Sequence, residues 1–133
     1  MENMQETVQN AKDTVTTPLP SPPDLEKKSS ASDLKERLNW GEPALTIVDV
    51  RSHEAFSQER ITGAVNIPMN QLVAEVQENL EKSRDIYVYG SSDEETEHAA
   101  AQLREAGFSS VAQLEGGLSA WKSVDGPIEG RGV

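Results

Sequence analysis

The sequence predicts an α/β fold, a parallel β-sheet with helices packed on both of its faces. Two observations carry this. Four short apolar runs, near residues 45–50, 64–67, 86–89 and 111–114, are largely unbroken by polar alternation, the pattern of strands buried on both sides. Between them lie segments whose apolar residues recur at helical spacing, and strands alternating with helices are the signature of a parallel sheet.

The first 30 residues stand apart from this pattern. They hold Pro18, Pro20, Pro22 and Pro23, several Ser and Thr residues between Thr14 and Ser21, and few large apolar side chains. Such a stretch buries too little surface to offset its ordering entropy. Residues 1–30 are therefore expected to be a disordered N-terminal tail, and residues 31–133 the folded domain. Met1, Met4, Val8, Ala11 and Val15 would line one face of a helix. A partner-binding segment fits that spacing, and so does a marginal helix too short to persist alone.

From Ala31 onward each element can be placed. Ser32 is positioned to cap a helix through Leu34 and Leu38, which Gly41-Glu42-Pro43 would end. Leu45–Val50 reads as a strand, and Ala64–Ile67 as a second one between Gly63 and Pro68. Leu72, Val73, Val76 and Leu80 share one helical face over residues 70–80. Ile86–Tyr89 is a third strand, apolar on both faces. The helix at about 94–106 turns Ala99, Ala100, Leu103 and Ala106 inward and Glu97, Gln102, Arg104 and Glu105 outward. Gly107 sits where a left-handed cap is needed, with Phe108 able to pack back on Leu103. Val111–Leu114 is the fourth strand, and Leu118–Lys122 a last short helix.

Composition narrows the function. A chain of 133 residues is expected to hold one domain. Its formal net charge of −11 argues against nucleic acid or an anionic membrane as partner. There is no cysteine, so disulfides, thiolate zinc sites and cysteine nucleophiles are excluded. No apolar run approaches the roughly 18–20 residues of a membrane span. Residues Met1–Glu6 lack the basic and apolar regions of a signal peptide, and the expected location is cytoplasmic. No Gly-x-Ser-x-Gly elbow, phosphate loop or Gly-x-Gly-x-x-Gly occurs. Glu94 and Glu95 stand four and three residues before His98, but that pair supplies too few ligands for a metal, and neither metal nor cofactor is expected.

The stretch Gly90-Ser91-Ser92-Asp93-Glu94-Glu95-Thr96-Glu97 is the most informative. It leaves the C-terminal end of a buried strand, where ligands bind in open α/β sheets, and enters a helix whose N-terminal N–H groups favour an anion. Yet it brings its own anions, Asp93, Glu94, Glu95 and Glu97, and no cation. Helix capping accounts for carboxylates in a first turn. A recognition surface for a basic partner is the main rival to that reading.

With these residues placed, the chain resembles the rhodanese-like family over about residues 31–127. Ile47-Val48-Asp49-Val50-Arg51 is similar to the family's Asp-x-Arg segment at the end of a core strand. Glu54-Ala55-Phe56 and Arg60-Ile61-Thr62-Gly63-Ala64-Val65-Asn66-Ile67-Pro68 resemble its Gly-His-Ile-x-Gly-Ala-x-Asn-Ile-Pro box, with Glu59-Arg60 in place of Gly-His. Leu103–Phe108 with Leu114-Glu115-Gly116-Gly117-Leu118-Ser119-Ala120-Trp121 matches its C-terminal signature. The resemblance implies a central parallel sheet of four to five strands, although the family's usual first strand, ahead of the Ser32 helix, is barely visible.

In that family the active loop begins with a cysteine that becomes a persulfide and continues with arginine, glycine and a second arginine. Here Gly90 stands at the cysteine position, Ser91 and Glu95 at the arginine positions, and Asp93 at the glycine position, while Thr96 matches a common Ser/Thr. No catalytic residue carries over. The resemblance therefore implies a non-catalytic rhodanese-like domain that binds an unidentified, basic protein partner or regulates. Its active-loop equivalent is Gly90, Ser91, Ser92, Asp93, Glu94, Glu95 and Thr96, with Asp49 and Arg51 as loop support. The alternatives are an enzyme using Asp49, Arg51, Asp93 and Glu94, a small-ligand binder using the loop backbone, and a remnant sulfurtransferase scaffold.

Overall fold

The computed structural model describes residues 27–41 and 44–133. The expected tail up to residue 26, and Glu42-Pro43 at the end of the first helix, lie outside the described residues. The sheet begins before the boundary expected at residue 30. Strand β1, Lys28–Ser29, pairs in parallel with the last core strand through Lys28 opposite Gln113 and Ser29 opposite Leu114. Two polar-flanked residues give no apolar run to read, which is why this strand was barely visible.

Helix α1, Ala31–Asn39, is capped by Ser30, whose hydroxyl accepts from the Asp33 N–H at 3.0 Å. Ser32, expected to cap it, falls inside the first turn. A cap requires extended backbone, and Ser30 has it, with φ −80° and ψ 162°. There follow β2 Leu45–Asp49, α2 His53–Gln58, β3 Arg60–Ile61, β4 Val65–Asn66 and a 3-10 turn Met69–Gln71 that leads into α3 Leu72–Asn79. The second half holds β5 Asp85–Tyr89, α4 Asp93–Glu105, β6 Val111–Leu114, α5 Gly117–Ser123 and β7 Ile128–Glu129.

Five strands form one parallel sheet in the order β1-β6-β5-β2-β4. The small antiparallel ribbon of β3 with β7 has no counterpart in the sequence reading. Along each core strand, neighbouring side chains enter opposite layers. Val48, Ile86, Val88 and Val111 join Leu72, Val76, Ala99, Leu103 and Phe108 on the α3–α4 side. Ile47, Tyr87, Tyr89, Ala112 and Leu114 join Leu34, Ile61 and Trp121 on the α1–α5 side. Burial on both faces is what erases polar alternation from these strands.

Two details fix the ends of the core. Gly107, at φ +101°, donates to the Arg104 carbonyl at 3.0 Å while the Phe108 N–H reaches the Leu103 carbonyl at 3.1 Å, the paired bonds of a Schellman cap. Trp121 is fully buried and its indole N–H donates to the Pro127 carbonyl at 2.8 Å, so it packs. Among the described residues no helix is long and apolar enough to cross a membrane.

The topology also places a crevice. From β2 the chain goes to β4 on one side, then crosses to β5 on the other. The order therefore reverses between β2 and β5, whose last residues, Asp49 and Tyr89, lie opposite each other. Crevices at the carboxyl ends of strands at such a reversal are where open sheets bind ligands.

Candidate functional site

The floor of this crevice is an ion pair. The Asp49 carboxylate has no exposure, and three donors of Arg51 close on it: the backbone N–H at 2.9 Å, Nε at 3.0 Å and Nη2 at 2.7 Å. Arg51 Nη2 also donates to the Glu59 carbonyl at 2.7 Å, and its guanidinium carbon lies 5.5 Å from the centre of the Tyr89 ring. From β4, the Asn66 amide donates to the carbonyls of Asp49 and Arg51 at 3.0 Å each. Burial alone would lower the Arg51 pKa, but the hydrogen bonds and charge of Asp49 outweigh it and hold the guanidinium above its ordinary value. Burial, then the Asp49 charge, pushes the Tyr89 phenol well above the usual tyrosine range.

Above this floor runs the Gly90–Thr96 loop, in which the N–H groups of Gly90, Ser91, Glu95 and Thr96 are met from within the loop. The Gly90 N–H donates to the hydroxyl of buried Thr96 at 2.8 Å, and that hydroxyl donates onward to the Ser92 carbonyl at 3.0 Å. The Ser91 N–H donates to Glu95 Oε1 at 2.6 Å. Ser92 is the N-cap of α4, accepting from the Glu95 N–H at 3.1 Å. Asp93 Oδ1 accepts from the Gly116 N–H at 2.9 Å, tying the loop to the turn before α5. That turn approaches closely because Gly116 and Gly117 take left-handed φ of +76° and +52°. A Cβ on Gly117 would lie 3.4 Å from the Gly90 carbonyl oxygen.

The acidic residues that look equivalent in sequence thus have different work. Glu95 and Asp93 serve backbone N–H groups, the cap is a serine, and Glu94 is exposed without a hydrogen bond among the described residues. Replacing Ser92 by alanine should lower stability by about 1 kcal/mol. Glu94→Ala should change it by less than about 0.5 kcal/mol. Chemical denaturation of the two variants beside the native domain reads both.

Between loop and turn lies a cleft of about 420 Å³, lined by Arg51, Ala55, Gly90 to Asp93 and Gly116 to Ser119. A second groove of about 270 Å³ flanks it, lined by Lys28, Asp93, Glu94, Thr96, Glu97, Gln113 and Glu115. Sequence reasoning placed Asp93, Glu94 and Glu97 at this rim but missed Glu115 and the Gly116–Ser119 wall. The available signal was the Glu-Gly-Gly run at the end of β6, the strand beside β5. Glu59-Arg60 does not line the cleft. Arg60 covers the Phe56 ring at 4.5 Å and pairs with Glu129 at 3.2 Å, and Glu59 pairs with Lys122 at 2.9 Å, so both hold the outer ribbon and α5. His98 lies 3.1 Å from the Gln102 amide on the exposed side of α4.

This geometry agrees with a family match to the rhodanese-like domain over residues 30–124. The chain belongs to that family. Among curated proteins, this rhodanese-like chain is 32% identical over 98 residues to a sulfurtransferase of Allochromatium vinosum, covering 74% of this chain and 90% of that one. It is 36% identical over 84 residues to the uncharacterized protein slr1261 of Synechocystis, covering 63% of this chain and 46% of that protein. Among solved structures, the crystal structure of the Alr3790 protein from Anabaena superposes with a TM-score of 0.75 at 53% identity, covering 77% of this chain and 91% of that one. A thiosulfate sulfurtransferase from Pseudomonas aeruginosa superposes at 0.72 with 28% identity, covering 79% of this chain and 20% of that larger one.

Proposed function

We propose that this rhodanese-like domain transfers no sulfur and serves as a binding module in the cytoplasm, offering the cleft and its acidic rim to a basic protein partner. One observation carries the reading: position 90, the start of the loop, is glycine, and the Glu95 carboxylate lies over it. Sulfur carried on a protein needs a thiolate nucleophile, and this chain has no cysteine to supply one. Of the carboxylates that could serve as acid or base, Asp49 is sealed beneath Arg51 and Asp93 is bonded to Gly116, which leaves Glu94 exposed to water with no partner group among the described residues to set its role.

The acidic rim is what supports a basic partner. Glu94, Glu97 and Glu115 crowd one side of the loop on a chain of net charge −11, and a field of one sign steers an opposite partner at a salt-dependent rate. A photo-crosslinking residue at Ser119 should capture a discrete protein from the native host, and one at Glu78 should not. Glu94→Lys with Glu97→Lys, or high salt, should abolish the Ser119 adduct. Equal labelling from both positions, or an adduct indifferent to charge, contradicts the reading. A cleft of this size also suits a small ligand. Thermal stabilisation by a metabolite in the absence of protein partner would favour that alternative.

A further inference from the structure

We propose that Gly90 and Glu95 form one device, in which the Glu95 carboxylate takes the space of a side chain at position 90 and fixes the path of the loop. The inference concerns how the loop is built and stands whether or not the cleft takes a partner. A Cβ on residue 90 would lie 2.6 Å from Glu95 Oε1, 3.0 Å from Cγ and 3.1 Å from Cδ, well inside the roughly 3.5–4.0 Å of ordinary carbon contacts. The backbone does not impose the glycine, because Gly90 is absent from the residues with positive φ among those described. Glu95 imposes it.

The neighbouring bonds leave little room for escape. The Gly90 N–H is held by Thr96, and the Glu95 backbone by the Ser92 cap, so neither main chain can retreat without breaking a bond. Only the Glu95 side chain can move, and it then abandons the Ser91 N–H, which it accepts at 2.6 Å. A side chain at 90 and the Glu95–Ser91 bond are therefore mutually exclusive. Glu95 is the positioning residue of the cleft wall that Gly90 to Asp93 form.

A double-mutant cycle with an amide probe tests this. Gly90→Ala should weaken the folding equilibrium constant about tenfold in the native background and less than about twofold beside Glu95→Ala, a coupling typical of contacting residues. Beside Glu95→Gln, which keeps the size and an acceptor oxygen, the penalty should return. The Ser91 amide proton resonance should move in Gly90→Ala and in Glu95→Ala and stay near its native position in Glu95→Gln, a readout that holds even if the position-90 variants fold poorly. An equal penalty for Gly90→Ala in all three backgrounds overturns the proposal, as does a Ser91 amide resonance unmoved by Glu95→Ala.

Discussion

Alanine in place of Asp49 is expected to destabilise the domain by about 3–5 kcal/mol, the loss that follows when one member of a buried ion pair is removed and the other stays behind. The Asp49 side chain has no exposure and that of Arg51 only 12%. Without the carboxylate, the Arg51 side chain keeps only the Glu59 carbonyl as a hydrogen-bond acceptor beside the face of the Tyr89 ring, and the backbone N–H of Arg51 loses its acceptor as well. Domains of this size are stable by only about 5–15 kcal/mol, so the variant should stand near the edge of unfolding. A denaturation midpoint that falls steeply with an unchanged slope is the expected result. A loss below about 1 kcal/mol would mean that the clamp is dispensable.

Restoring a cysteine alone should leave a sluggish thiol. In Gly90→Cys the sulfur would sit at the end of β5, facing the start of α4, a position that lowers thiol pKa from about 8.5 in proteins that exploit it. Here Asp93, Glu94, Glu95 and Glu97 oppose the thiolate and repel anionic thiosulfate. Each exposed charge at about 4 Å contributes on the order of 1 kcal/mol in water, less with salt. Two or more such charges at that distance would outweigh the roughly 0.3–1 kcal/mol that a helix terminus offers an exposed anion. Glu95 adds a steric conflict, since its carboxylate already occupies the space beside position 90. A variant that also carries Ser91→Arg, Asp93→Gly and Glu95→Arg should react with thiosulfate at least about tenfold faster, a gain that needs only about 1.4 kcal/mol. Its rate should fall as salt is added. Equal rates for the two variants would show that loop charge and the Glu95 contact are not what disables the position.

The parallel sheet was legible because burial on both faces leaves an unmistakable mark on Ile47–Val48 and Ile86–Tyr89. The short elements were not. Strand β1 is Lys28–Ser29, and the β3–β7 ribbon is two residues on each side; such pairings are made by backbone bonds and by neighbours distant in sequence, neither of which leaves a pattern. Ser30 and Ser32 are both competent caps, and only the backbone conformation decided between them. At the site, the positions Asp49, Arg51 and Gly90–Thr96 were readable from their place at strand ends. That Ser92 and Glu95 take loop donors, Asp93 the Gly116 N–H and Glu94 none among the described residues was not, because four cap-forming or acidic residues within one turn are interchangeable on paper. The Gly116–Ser119 wall was invisible as a wall, since it joins the cleft only through the adjacency of β5 and β6.

Whether the domain moves sulfur is decided by incubating tag-free protein with thiosulfate and cyanide and following thiocyanate. With glycine at position 90 and no cysteine in the chain, thiocyanate should form no faster than in a protein-free blank at any protein concentration. Thiocyanate formed in proportion to the amount of this protein would contradict the non-catalytic reading and require a sulfur acceptor other than a thiol.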